Sequence, residues 1–594
     1  MAKSNQKNPN QKHTLMKSQG YKAQDIFGGL LILLGIGTVT TAILFTPTFV
    51  AKYLLADHDI TSGGIKILNQ SRFYLSFGGL LSLLLGFRLA VEGKLKLNPK
   101  TSNRLMISAV IAICSLGAFL RIYFFVIDRS LWIDEAMLGL NLVNRSFAGL
   151  LKPLDMNQAA PIGFLLAEKS VFSVLGGEDY ILRLIPLLTG LASIPLIYLV
   201  TKKMSGRFPA FMALGLFVLS DRLIYYSSEL KQYSTDVLAA LIILLIAPKI
   251  IEEKLKPRSF IMLGIAGIVT LWFSHPCIFV FAGTLLTLGV VFIFKKDTTR
   301  LFWLTGIGLA WGISFGLDYF VSLRYSASNG NLLQYWKDGF SPLPPWTHIN
   351  WYFNAITDML QNPATLPVNP ITEGLLVLGI ISYTFRRWQS GMLLLTPFLM
   401  VFIASALGKY PFSGRLILFL VPFLLIFLAE GIDRIWKLLQ RLNKPLAWFF
   451  TSFLVLYFIS GPITVAYNNI KSPPMGQDIK PVLANVSKNR LDNDLIYVYH
   501  GAKPAFLFYA PSYGLTENYI IGVNSIEDPI KYLEEIDNLE RGHRIWFIFS
   551  NNCSGCVVNE EVYIVEHLDK MGRKLDEIQA AGASGYLYEI GQIR

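Results

Sequence analysis

Apolar runs of about twenty residues recur along this chain from Ile26 to Tyr467, and each can cross the roughly 30 Å hydrocarbon core of a bilayer as a helix. Of 594 residues, 53% are hydrophobic and 16% are charged, with a mean hydropathy of +0.46, whereas soluble chains carry about 25% charged residues. A water-soluble enzyme is thereby excluded. Disordered, collagen-like and disulfide-scaffold chains are excluded too, because 13% of the residues are aromatic and 4 are cysteines.

The pattern predicts an all-α polytopic membrane protein with about thirteen transmembrane helices. Expected spans cover 26–49, 74–91, 105–127, 181–200, 208–220, 234–251, 259–274, 277–295, 301–322, 371–385, 390–406, 415–430 and 446–467, with 208–220 extending toward Ile224. Residues 1–25, with Lys3, Lys7, Lys12, Lys17 and Lys22, read as a disordered cytoplasmic tail. The apolar stretch after them is too long, and too poor in small residues at its end, for a cleaved signal.

The 53 Lys and Arg against 40 Asp and Glu give a net charge of +13. The basic residues sit mainly in short loops, so their excess points to membrane orientation and not to nucleic acid. The segments 1–25, 88–104, 201–207, 249–258, 295–300, 386–389 and 431–445 hold 26 Lys and Arg, whereas 48–73, 221–233, 274–276 and 407–414 hold 6. Basic residues favour the cytoplasmic side, so the N-terminus is expected inside and the C-terminus outside, in a bacterial plasma membrane.

Three expected outer segments exceed simple turns: 128–180, 323–370 and 468–594. The last is polar, with strand-like runs at Leu495–His500 and Arg544–Ser550, a helical pattern at Glu560–Lys574 and a final strand at Gly585–Glu589. This alternation predicts a C-terminal extracytoplasmic α/β domain. Cys553-Ser554-Gly555-Cys556 within it reads as a local disulfide, with a redox pair as the alternative, while Cys114 and Cys277 read as packing residues beside or within spans.

The loop 128–180 opens with Ser130-Leu131-Trp132-Ile133-Asp134-Glu135. Neighbours on a helix point about 100° apart, so one carboxylate can deprotonate a group at the membrane surface while the other orients it or pairs with a cation. The alternative is a surface helix capped by Ser130, whose acidic first turn complements its dipole. Downstream come Asn157-Gln158-Ala159-Ala160-Pro161, then Gly176-Gly177-Glu178-Asp179-Tyr180, then Leu182-Arg183-Leu184-Ile185-Pro186. Tyr225-Tyr226-Ser227-Ser228-Glu229-Leu230-Lys231-Gln232-Tyr233 precedes a span, as does Lys409-Tyr410-Pro411-Phe412-Ser413-Gly414-Arg415.

In this order the segments resemble the C superfamily of membrane glycosyltransferases, in the branch of protein O-mannosyltransferases, lipid A aminoarabinose transferases and Rgt-type galacturonosyltransferases. The resemblance covers 105–467 as a glycosyltransferase membrane domain, with the two spans within 26–104 as additions. One departure is Gln158-Ala159-Ala160-Pro161, where the family often has His or Lys followed by Pro-Pro.

The resemblance implies inverting transfer of a sugar from a polyprenyl-phosphate donor to a hydroxyl of a protein, lipid A or another glycan. It implies Asp134 as base with Glu135 orienting it, and Arg415, Lys231, Lys409 and Arg183 as cations for the donor phosphate, with Arg222 behind them. Glu229, Tyr233 and His275 are further candidates for substrate contact. No metal-ligand spacing is visible, and room for a divalent cation is confined to the neighbourhood of Asp134-Glu135. Neither is there a Gly-rich nucleotide loop, which suits a lipid-linked donor. The rival readings are a lipid-linked glycan ligase, which does not need this ordered set, and a transporter or flippase, which predicts ionisable residues in mid-span and broken helices in paired halves.

Overall fold

The computed structural model describes residues 99–591 apart from 177–178, 253–254, 526–527, 540–541 and 552–558. The tail, the spans expected at 26–49 and 74–91, and the Cys553-Cys556 pair lie outside the described residues.

Where no water reaches the backbone, a single segment meets its hydrogen-bonding needs only as a helix. Every span expected after residue 104 falls on one. In chain order these are α1 (Pro99–Val126), α4 (Leu184–Met204), α5 (Arg207–Leu219), α6 (Tyr233–Glu252), α7 (Pro257–Phe273), α8 (Cys277–Phe294), α9 (Thr298–Asp318), α11 (Pro370–Arg386), α12 (Trp388–Ala406), α13 (Val421–Leu442) and α14 (Lys444–Lys471). Between them lie α2 (Ile133–Asn144), α3 (Ile162–Leu175) and α10 (Ile349–Gln361).

Among the described residues, 8 helices are long and apolar enough to cross a membrane, or 9 if α5 and the segment Asp221–Ser228, bent from it by 61°, count as one. The expected extension of 208–220 toward Ile224 is thus a separate segment beyond a bend at Ser220. Two segments form the centre of the bundle, Gly414–Leu442 and Tyr233–Glu252, in whose apolar 18-residue stretches 89% and 78% of the residues are buried. In the flanking Met106–Val126 and Lys444–Lys471 the corresponding share is 22% each. Close helix approach needs small residues, and a Cβ on Gly379 or Gly431 would sit 2.0 Å from the carbonyl oxygen of Phe427 or Leu375. The backbones of α11 and α13 therefore touch.

After α14 come α15 (Lys480–Asn489), β1 (Leu495–Val498), α16 (Lys503–Tyr509), β2 (Tyr519–Ile521), α17 (Ile530–Asp537), β3 (Arg544–Ser550), α18 (Glu560–Met571), β4 (Gly572–Ala580) and β5 (Ala583–Ile590). The sheet order is β2-β1-β3-β5-β4, with β2, β1 and β3 parallel and β5 and β4 antiparallel. Central β3 is apolar on both faces because helices cover both. The helical pattern expected through Lys574 stops at Met571, and Arg573–Glu577 instead form an edge strand. A polar edge strand lacks the apolar alternation that would have marked it in sequence.

The core beneath this sheet continues into the first long loop. Leu131 and Ala136 share a buried cluster with Ile479, Val482, Phe506 and Trp546. Around it, the Leu131 amide donates to the Tyr509 hydroxyl at 2.8 Å, and that hydroxyl donates to Asp179. Lys480 Nζ reaches Asp179 Oδ2 at 2.9 Å and Asp128 Oδ1 at 3.1 Å. Tyr509→Phe should leave the buried Leu131 N–H and the Asp179 carboxylate each short of a partner. The expected loss is about 1–3 kcal/mol, read as a lower thermal unfolding midpoint in detergent, and an unchanged midpoint would contradict this account of the docking.

Candidate active site

The site lies at the ends of the two most buried spans, where Tyr233 opens α6 and Arg415 precedes α13. Helix α2 enters it from the side. Its first residues are Ile133, Asp134 and Glu135, and Trp132 occupies the cap position expected for Ser130, whose hydroxyl donates instead to Asp478 Oδ1 at 2.5 Å. The two adjacent carboxylates diverge, as helix geometry requires.

Glu135 turns inward and is fully buried. Its Oε1 accepts from Arg183 Nε at 2.8 Å and from the Leu230 amide at 2.7 Å, and its Oε2 accepts from Arg183 Nη2 at 2.7 Å. The same guanidinium donates to the carbonyls of Arg129 at 2.7 Å and Ser130 at 3.3 Å. Burial alone would raise the Glu135 pKa, but the Arg183 guanidinium overrides it and holds the carboxyl below its ordinary value. Arg183, expected on the donor phosphate, is 1% exposed and engaged by these partners.

Asp134 turns the other way. Its Oδ2 lies 2.5 Å from Arg415 Nη2, and both side chains keep part of their surface open. Three aromatic rings surround the Arg415 guanidinium, with centroids at 5.3 Å for Trp132, 5.9 Å for Tyr233 and 5.7 Å for Trp336. Such rings favour a cation and restrict its rotation. Its Nε is buried without a partner.

Lys231 is 5% exposed and donates to Gln158 Oε1 at 2.7 Å. Burial draws its pKa down. Gln158 of the first long loop is thus the residue on which a cation from the next expected outer loop leans. Glu229 is fully buried, and neither carboxylate oxygen has a hydrogen-bond partner. Burial first, and then the charge of Glu135, push its pKa up to about 7.

The remaining expected residues are less central. His275 Nε2 lies 3.4 Å from Asp318 Oδ2, and among the described residues no hydrogen bond joins it to Asp134 or Arg415. Lys409 is exposed in the turn after α12. Sequence reasoning missed Arg129, which donates to the Ser228 carbonyl at 2.9 Å and stacks on Tyr225, and missed the roles of Trp132 and Trp336. Trp132, beside the carboxylate pair, was the available signal; Trp336 had none, because only folding brings it to Arg415.

Glu135 pairs with Arg183 and Asp134 faces Arg415, and among the described residues no three His, Cys, Asp or Glu side chains gather as ligands for a divalent cation.

The length and apolar character of the helices define an integral membrane protein bearing an α/β domain. No family model and no curated protein sequence matches the chain. Among solved structures it is similar to ArnT from Cupriavidus metallidurans in the apo state, with a TM-score of 0.48 and 11% identity over 82% of this chain and 98% of that one. The same enzyme bound to undecaprenyl phosphate gives a TM-score of 0.47 at 11% identity over the same shares. The Archaeoglobus fulgidus oligosaccharyltransferase gives a TM-score of 0.44 at 12% identity over 80% of this chain and 74% of that one. Likenesses of this degree carry no functional argument, which comes from the side chains.

Glu229 supplies a pH test. Between its ordinary value of 4.5 and the folded value of about 7, the unfolded chain is ionised at Glu229 while the folded one keeps the proton. The stability this group contributes is therefore complete below the lower value and lost as pH rises through the upper one. Thermal unfolding of Glu229→Gln across that window should show a shallower decline than wild type, and parallel slopes would place the raised pKa elsewhere.

Proposed function

We propose that the protein is an inverting glycosyltransferase that moves a sugar from a polyprenyl phosphate to a hydroxyl of a protein, a lipid or a glycan. The observation that carries this reading is the partly open Asp134–Arg415 pair, which unites the first and the late expected outer loops in one polar site. In this reading the donor phosphate takes the Arg415 guanidinium, which can hold two of its oxygens, and Asp134 is released from its ion pair. The freed carboxylate then accepts the proton of the acceptor hydroxyl as its oxygen attacks the anomeric carbon. The bond from that carbon to the phosphate oxygen breaks, its electrons leave with the polyprenyl phosphate, and Arg415 with Lys231 offsets the charge. Glu135 and Arg183 act as positioning residues, and no step is routed through a metal.

The 26 to 6 distribution of Lys and Arg supports a cytoplasmic N-terminus and about thirteen spans. Contacts of Ser130 and Leu131 with Asp478 and Tyr509 support a common side for the 128–180 loop and the α/β domain, and that side is the extracytoplasmic one in this reading. The structures of ArnT with undecaprenyl phosphate and of the archaeal oligosaccharyltransferase with dolichol-phosphate are of proteins that bind such lipids.

In purified protein, Asp134→Asn should lower turnover by at least the ~10²-fold typical of a lost general base while donor binding persists. Wild-type turnover in that variant would reject Asp134 as the base. Arg415→Lys, which keeps the charge but loses the fork, should weaken polyprenyl-phosphate binding in detergent by about 1 kcal/mol or more. An unchanged affinity would remove Arg415 from the phosphate site.

A further inference from the structure

A cavity of about 220 Å³ opens between α10 and the segment leading to α13, and one of its lining residues is Gly414, the neighbour of Arg415. Trp336, whose ring lies against the Arg415 guanidinium, comes just before Asp338 and Gly339, which also line the cavity. The cavity therefore adjoins the reacting pair without including it.

Its walls are tied in place. The Phe412 amide donates to the Gly339 carbonyl at 2.7 Å, and Trp351 Nε1 donates to the Asp338 carbonyl at 3.2 Å. Gly339 approaches so closely that a Cβ there would meet the Ser413 Cβ at 2.9 Å. The Trp351 indole, its N–H already used, contributes apolar surface, and Phe412 and Met359 supply buried apolar lining. Asp338, Asn354 and Asp358 bring polar groups to the mouth. The lining contains no Lys, Arg or His.

These groups select a ligand class. The volume is well over ten times the roughly 10–15 Å³ that admits one water, which suits a small polar ring. Ionised carboxylates accept hydrogen bonds and donate none, so they favour a ligand rich in O–H or N–H donors. Two of them without a balancing cation repel a ligand that bears its own carboxylate. We infer that this cavity is a subsite for one sugar ring, taking a neutral or amino-bearing sugar and rejecting a uronate. This rests on the glycosyl-transfer reading of Asp134 and Arg415 and adds the charge class of the sugar.

The test uses the full-length protein in nanodiscs and saturation-transfer NMR with gluco-, galacto- and manno-configured rings, each as the neutral sugar, the amino sugar and the uronate. At least one neutral or amino sugar should bind ten-fold or more tightly than its uronate. In the Asp338→Asn/Asp358→Asn double variant that preference should fall at least ten-fold, and Asn354→Ala should weaken the selected sugar. Binding of no sugar, equal binding of a uronate, or an unchanged preference in the double variant would each overturn the inference. The selected sugar linked to undecaprenyl phosphate is then compared with the bare lipid phosphate. If the double variant weakens only the glycosylated lipid, the ring is the donor's, and if it weakens only the free sugar, the ring is the acceptor's. Undecaprenyl phosphate is also titrated against wild type, and its failure to bind would reject the proposed reaction while the sugar panel still judges the cavity.

Discussion

The buried fork between Glu135 and Arg183 is the constraint on which the arrangement of the site depends. Two charges removed from water are costly unless their remaining hydrogen-bonding positions are filled, and here the Leu230 amide and the carbonyls of Arg129 and Ser130 fill them. Three chain segments are thereby tied at one point: the start of the first long loop, the entrance to α4 and the approach to α6. Removing one partner would leave a buried charge, a loss of about 3–5 kcal/mol in comparable cases. Because Asp134 is the next residue on the same helix, the fork also sets the direction in which that carboxylate points.

The loop is gripped from its other side by the α/β domain. Leu131 and Ala136 belong to the apolar core beneath the sheet, and the Ile133 amide donates to Gln477 Oε1 at 2.8 Å. Gln477 Nε2 in turn donates to Asn551 Oδ1 at 2.6 Å, just beyond the end of β3. The first turn of α2 is therefore held between the membrane helices and the sheet. A helix of 12 residues is marginal alone in water, and here packing on both sides holds it in one orientation.

Charge placement follows a similar logic. Arg415 stands among Trp132, Tyr233 and Trp336, rings that limit its rotation without neutralising it, so its ion-pair partner Asp134 remains exchangeable. Lys231 donates to the neutral Gln158, and the charge of Asp134 works against the fall that burial imposes on its pKa. Glu229, buried with no hydrogen-bond partner, holds its proton more readily than an ordinary glutamate. The polar cavity at Gly414 lies beside this group and has the opposite electrostatic character, with carboxylates and no cation.

Apolar run length alone marked the expected spans after residue 104 as helices, since a segment surrounded by lipid has no other way to satisfy its backbone. The alternation of short apolar strands with helices likewise marked β1, β3 and β5, whereas β2 was too short and β4 too polar to be seen. Asp134 and Arg415 were legible as candidates through the ordered resemblance of their loops, the acidic pair being conspicuous on its chemistry as well. Their partners were not. That Glu135 engages Arg183, that Gln158 receives Lys231, and that Trp336 closes the box around Arg415 are pairings between loops 48, 73 and 79 residues apart in sequence. Local pattern reports periodicity within a segment, and these contacts depend on how separate segments cross, which only the packed bundle and the domain seated on it decided.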